Sequence, residues 1–354
     1  MASKVQAKKS LGVKQQEGVA EREHCLDLFR GLCLLGVIFN HTCFHSGSSY
    51  IPDSWAQWTM LLDVPALFFV SGMTYQTIKR DMIVNSLFKL SMVFTILSII
   101  LNAIYGRFSW DYIWKPLFLN SLDLPEHFLI VQQAYWFVPV YVAVLVIATI
   151  ILKKMRELYG LVIVGCLGLY FYCFFEKIPF FNGVILGDSV QKVFFYLSLF
   201  LFGFFCKDKV IGRIFQKEVG CLLLVIALGL YYLTYVYRSD FVFNLFLNKF
   251  PPKLPYIALS FISISAFIFF YKAERKNLLI EHIGQNAIYY YAGQGIGAVL
   301  LISVVPYVAL PFYFKLPLMF LLNLLITTSV AYVLKFIYNG FGRYYRILTK
   351  STKA

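Results

Sequence analysis

Ten apolar runs divide this 354-residue chain, each close to the roughly 20 residues an α-helix needs to cross a hydrocarbon core about 30 Å thick. They cover 26–44, 56–76, 87–105, 134–152, 158–175, 191–206, 219–237, 254–271, 286–304 and 316–337. Inside a bilayer every backbone N–H and C=O must find its partner within the protein, so runs of this length predict helices. The composition agrees: 60% of residues are hydrophobic and 14% charged, a balance that excludes a water-soluble globule. The fold class expected is therefore all-α, a polytopic membrane protein of about ten transmembrane helices. No internal repeat suggests the inverted halves of a secondary transporter.

The net charge of +14 would suggest a nucleic-acid partner in a soluble protein. Here the basic residues gather in the short connections. Of the 32 lysines and arginines, 23 fall on one side of the alternating runs and 7 on the other, leaving Arg30 and Lys192 in or at apolar runs. That asymmetry is the positive-inside pattern, and it predicts that both termini are cytoplasmic and that the partner is the lipid bilayer, with no nucleic acid. Residues 1–24 read as a flexible basic cytoplasmic tail, 25–340 as the transmembrane domain and 341–354 as a second basic cytoplasmic tail. The first apolar run reads as a retained span rather than a signal peptide. The seven cysteines lack CxxC spacing and lie mostly in apolar runs, which predicts buried thiols rather than disulfides or a metal site.

Within the first run stand Arg30 and His41. Ionisable residues at membrane depth are costly and mark function by default. Eleven helical residues separate their Cα atoms by about 16 Å and rotate them by about 20° net of whole turns, so both share one face. With the N-terminus cytoplasmic, Arg30 lies near the cytoplasmic surface and His41 towards the outer leaflet. Asp27, three residues before Arg30, is spaced for an ion pair that either neutralises the guanidinium or orients it. A neutral imidazole at position 41 can take a proton from a hydroxyl, because its pKa lies near ambient pH. His45 follows one turn later, without the further ligands a metal needs.

The second run carries Asp63 and Pro65, predicting a break or kink and a buried carboxylate, and Ser71-Gly72 permits close helix packing. Lys79, Arg80 and Lys89 form a basic connection on the side of Arg30, suited to the phosphates of a nucleotide-like donor. Tyr135 and Trp136 open the fourth run, where they form either an interfacial belt or a sugar-stacking surface. Glu126 and His127 are a second, loop-borne acid/base pair.

LDLFRGLCLLGVIFNH (Leu26–His41) resembles the opening of the acyltransferase 3 family, with its arginine and histidine ten residues apart. DVPALFFVSGM (Asp63–Met73), AYWFVPVYV (Ala134–Val142), YLSLFLFGFF (Tyr196–Phe205) and IGQNAIYYYAGQ (Ile283–Gln294) are similar to later segments of that family, in the same order. The resemblance implies a multi-pass enzyme of the bacterial inner membrane that O-acylates a cell-surface glycan or lipid-linked sugar. Acyl-CoA, acetyl-CoA above others, would be the donor substrate, with no bound cofactor and no metal. Arg30, with Lys79, Arg80 or Lys89, would hold the donor, and His41 would act as base or carry the acyl group. Asp63 would orient an imidazole or the acceptor, while Tyr135, Trp136 and Gln294 would meet the acceptor. Gln294 stands where many members carry histidine, so it can hydrogen-bond there but not titrate. Transfer is expected to be completed within the membrane domain. The competing expectation is a transporter or flippase of a glycan or lipid-linked sugar.

Overall fold

The computed structural model describes residues 24–45, 50–52, 55, 57–75, 80–154, 158–176, 184–185, 188–207, 216–237, 249, 252–271 and 277–351. Their regular structure is helical apart from a two-residue antiparallel ladder, β1 (Val184–Ile185) with β2 (Asp188–Ser189). Each apolar run contains helix among its described residues. The order is α1 (His24–His45), α2 (Val64–Thr74), α3 (Arg80–Ile104), α4 (Asp111–Leu117), α5 (Leu129–Ala134), α6 (Phe137–Lys154), α7 (Tyr159–Glu176), α8 (Val190–Phe205), α9 (Gln216–Tyr237), α10 (Leu254–Phe270), α11 (Leu278–Gln285), α12 (Ala287–Ile302) and α13 (Phe312–Ser351). Among the described residues four helical stretches are long and apolar enough to cross a membrane, namely His24–His45, Val84–Ile104, Glu126–Lys154 and Phe312–Phe341. Four further apolar helical stretches are shorter: Trp58–Thr74, Lys192–Phe205, Leu254–Phe270 and Ala287–Ile302. The chain is a helical membrane protein.

Two runs are broken where the sequence forces it. In the second, a 3-10 turn (Gln57–Met60) ends in bends, and α2 starts only after Asp63, whose backbone is extended. Pro65 sits in the first turn of α2, where its missing N–H costs nothing. Ser263 donates its hydroxyl to the Leu61 carbonyl, meeting one backbone group that the break leaves open. The fourth run is interrupted at Tyr135-Trp136 between α5 and α6. Pro139 has no N–H to return to Tyr135, and the Tyr135 carbonyl accepts instead from Val138 N at 2.9 Å. The last helix outruns its apolar segment, continuing to Ser351.

Lipid tails are as apolar as leucine, so helix association here depends on close packing rather than water exclusion. Small residues supply it. Gly72 of α2 lies against the Phe200 carbonyl of α8, and Gly203 of α8 lies reciprocally against the Phe69 carbonyl. Gly31 of α1 meets the Ile280 carbonyl, and Gly284 of α11 meets that of Asp27. A Cβ at any of these four would collide with backbone oxygen. Aromatic side chains fill the space between, with Phe29 stacked on Phe267 at 4.4 Å and Phe68 on Tyr196 at 4.5 Å. Helix α1 is central, burying Leu26, Phe29, Cys33, Leu34 and Ile38. Helix α13 lies at the edge and leaves Leu321, Leu325 and Phe336 exposed.

Candidate active site

Helix α1 is fixed at both ends by polar contacts. Near its start, His24 Nδ1 lies 2.7 Å from Glu281, whose other oxygen accepts from the Asn277 amide of the α11 cap at 2.6 Å. Near its end, Asn323 of α13 donates to the Thr42 hydroxyl at 2.9 Å and to the Ile38 carbonyl at 3.3 Å. Thr327 completes this buried set by donating to Asn323 Oδ1 at 3.2 Å.

Between those anchors, α1 presents Arg30 and His41 to two different cavities. The first, of about 350 Å³, is lined by Arg30, Lys89, Ser71, Thr74, Tyr141 and Tyr291 among others. Arg30 donates one nitrogen to Asp27 Oδ1 at 3.1 Å and another to Thr74 Oγ1 at 2.8 Å. Thr74 in turn donates to the Ser71 carbonyl at 3.0 Å, so its hydroxyl oxygen is aimed to accept from the guanidinium. Asp27 thus both neutralises Arg30 and orients it. Lys89 sits with Nζ 4.6 Å from the Tyr289 ring centroid, on the same cavity wall. This cavity pairs two fixed cations with an aromatic interior, a combination suited to a polyanion with an uncharged arm.

The second cavity, of about 290 Å³, is lined by Asn40, His41, His45, Trp136, Lys192 and Lys249 among others. The two imidazole rings lie 4.9 Å apart. His41 Nδ1 and Asn40 Nδ2 are buried without a hydrogen-bond partner among the described residues. Lys249 makes a 2.7 Å ion pair with Asp63 Oδ2, and Tyr256 donates to the same oxygen at 2.9 Å. Asp63 is 1% exposed and lies behind Lys249 rather than on the cavity wall. Lys192 stands 5.4 Å from the Trp136 ring centroid.

A hydrogen bond joins residues of the two walls. Tyr291 lines the first, and its hydroxyl donates at 2.9 Å to the carbonyl of Ala134, which lines the second. Its ring lies 4.7 Å from Phe137, also on the first wall.

The sequence-derived residues are therefore distributed. Arg30 and Lys89 share the first cavity, and His41 and Trp136 share the second. Lys79 lies outside the described residues, as does the Arg80 side chain. Tyr135 packs edge-on against Phe94 at 5.0 Å and lines neither cavity. Gln294 is 1% exposed, one turn beyond Tyr291, and both amide atoms lack a partner among the described residues. It too lines neither cavity. Glu126 and His127 are exposed in a 3-10 turn, with the His127 ring 5.5 Å from Tyr105. Sequence reading did not single out Thr74, Tyr141, Tyr291, Lys192 or Lys249 as site residues. Lys192 alone carried a signal, as a lysine at the start of an apolar run. Lys249 reads as an ordinary loop charge, because its partner Asp63 is far away in the chain. Among the described residues no three His, Cys, Asp or Glu side chains converge to hold a metal ion.

No curated protein and no solved structure shows a significant match to the chain. A family model does: the acyltransferase 3 model, described as an acyltransferase domain, matches residues 23–336, a stretch that takes in α1 and both cavity-lining sets. The chain belongs to the acyltransferase 3 family and is an acyltransferase of the membrane.

Proposed function

We propose that this protein transfers an acyl group, acetyl before any other, from cytosolic acyl-CoA to a hydroxyl of a cell-envelope or exported glycan. The observation that carries the reading is the placement of Arg30 and His41 in separate cavities at different depths along one helix. In this reading the helices make ten passes of a bacterial cytoplasmic membrane, with both termini inside, and the Arg30 cavity opens to the cytosol.

Arg30, held by Asp27 and Thr74, and Lys89 bind the donor phosphates, and Lys79 and Arg80 belong to the same proposed donor-binding set. The uncharged arm follows the aromatic wall of Tyr141, Phe137 and Tyr291 towards the second cavity. There His41 accepts the proton of the acceptor hydroxyl as its oxygen attacks the thioester carbonyl. The C–S bond breaks, the C–O ester bond forms, and the proton leaves with the CoA sulfur. Trp136 offers a face to the sugar ring. Asp63 acts through Lys249 and is a positioning residue.

The test is transfer of label from radiolabelled acetyl-CoA to surface glycan in membranes carrying wild type, His41→Ala or Arg30→Ala. Label with wild type that disappears in both variants at equal protein levels supports the reading. Absence of label with wild type, with glycan stranded in the cytoplasm on deletion, replaces it with export.

A further inference from the structure

Two lysines stand together inside spanning stretches, where a charge is costly unless something answers it. Lys89 belongs to Val84–Ile104 and Lys335 to Phe312–Phe341. Their helices, α3 and α13, pack on each other and on α12. Lys89 Nζ lies 4.6 Å from the Tyr289 ring centroid, and that ring meets the Tyr338 ring edge-on at 6.2 Å. Tyr338 follows Lys335 by one turn of α13, and the two ammonium groups are close enough to repel each other. Beyond the Tyr289 ring, neither lysine has a hydrogen-bond or ion-pair partner among the described residues. Both are half-buried, and repulsion between like charges strengthens as the dielectric falls. Positive-inside topology accounts for lysines in short connections, but not for two drawn side by side within helices. An anion between them turns the repulsion into attraction, and phosphate oxygens accept charge-assisted hydrogen bonds from both. Lys89 lines the first cavity and Lys335 does not, so the pair sits at that cavity's side. Arg30 is a separate cationic centre, turned to Asp27 and Thr74.

We infer that Lys89 and Lys335 form a second phosphate site, distinct from Arg30, that binds a phosphate group beside the first cavity. The group has two sources, the ribose phosphate of a CoA donor or the headgroup phosphate of an anionic phospholipid. The donor source rests on the acyl-CoA reading and deepens it: the diphosphate lies at Arg30 and the ribose phosphate at the lysine pair.

Binding to the full chain in phosphatidylcholine nanodiscs compares CoA with 3′-dephospho-CoA, which lacks only the ribose phosphate. If the donor is the source, CoA should bind about tenfold more tightly or better, the range of one charge-assisted contact. Lys335→Gln should bring that ratio close to one, whereas Lys335→Arg keeps it. Arg30→Ala should weaken both nucleotides and leave their ratio in place. If a lipid is the source, the two nucleotides bind alike, and adding phosphatidylglycerol raises the melting temperature of wild type and Lys335→Arg but not of Lys335→Gln. Equal nucleotide binding without a melting response, or a preference or response that survives Lys335→Gln, overturns the inference. Acetyl transfer to glycan, measured on the same preparations, tests the underlying reading. Transfer with neither a nucleotide preference nor a lipid response defeats the inference alone. A lipid response that depends on Lys335, with no nucleotide bound and no transfer, defeats the acyl-CoA reading alone.

Discussion

The Asp63–Lys249 pair offers a quantitative test of how the second cavity is held together. Asp63 is fully buried as a side chain and Lys249 is 10% exposed, with a 2.7 Å contact between them and Tyr256 hydroxyl on the same oxygen. Asp63→Asn keeps an oxygen for Tyr256 but leaves the lysine opposite a neutral amide. Lys249→Met leaves the carboxylate with a single hydroxyl donor. Breaking a buried pair from one side costs about 3–5 kcal/mol, because a desolvated charge is left without its partner. Removing both charges leaves no such charge, and replacing a buried pair by neutral groups of similar volume is often close to neutral. The double variant Asp63→Asn/Lys249→Met should therefore lie within about 1 kcal/mol of wild type, against roughly 6–10 kcal/mol if the losses added. Melting followed in detergent reads this directly, at about 2 °C per kcal/mol for a chain of this size. Each single variant should melt about 6–10 °C lower and the double variant close to wild type. Additive losses would refute the pairing. A double variant that is stable yet impaired in acyl transfer would show that Lys249 also serves the reaction.

Arg30→Lys retains the charge but cannot hold Asp27 and Thr74 from one rigid fork. The KM for acyl-CoA should rise about tenfold or more, while Thr74→Val, which removes the hydroxyl that accepts from Arg30 and donates to the Ser71 carbonyl, should raise it a few-fold. Gly284→Ala and Gly203→Ala drive a methyl into backbone carbonyls and should each destabilise by about 3 kcal/mol. Gly168→Ala, whose Cβ meets nothing within 4 Å on α7, should be neutral or gain up to about 1 kcal/mol; thermal unfolding compares the three. The Trp114 indole and then Lys115 hold the Asp111 carboxyl below its usual range, so this group binds its proton less readily folded than unfolded. Its contribution is complete above the ordinary carboxylate pKa of about 4 and is lost as pH falls through the lowered folded value. Proteolysis of the 105–128 connection should therefore increase on acidification, and Asp111→Asn should be sensitive at neutral pH too.

The helices were legible because they follow from a local rule. Apolar length predicts helix in a bilayer, and a rotation of 100° per residue puts positions 30 and 41 on one face. The break before α2 was also legible, since Asp63 and Pro65 announce it. What could not be read is what long-range packing decides. The role of Asp63 depends on Lys249 and Tyr256, both almost two hundred residues later. Tyr135 and Trp136 are adjacent and alike in composition, yet the turn imposed by Pro139 sends one into the core and the other to a cavity. Arg30 and His41 line two cavities rather than one, and the Tyr291–Ala134 hydrogen bond between residues of the two walls is a contact that no spacing rule anticipates.

That contact bears on how the reaction would proceed. Helix α1 is tied at its start through His24 to Glu281 and near its end through Thr42 and Ile38 to Asn323, with glycine contacts to α11 between backbones. A helix fixed at both ends acts as a ruler, so Arg30 and His41 keep their separation of about 16 Å whatever is bound. In the proposed transfer the donor would span that distance itself, with its phosphates at Arg30 and its thioester carbon at His41. Tyr291 and Phe137, both on the wall of the first cavity, share a ring contact, and the tyrosine hydroxyl donates to Ala134 on the wall of the second. Rotating a tyrosine off one carbonyl costs about 0.5–1.5 kcal/mol, far less than moving α1 against its anchors. In the proposed reaction Tyr291 would be the side chain that moves, and the backbone of α1 would set the spacing of Arg30 and His41.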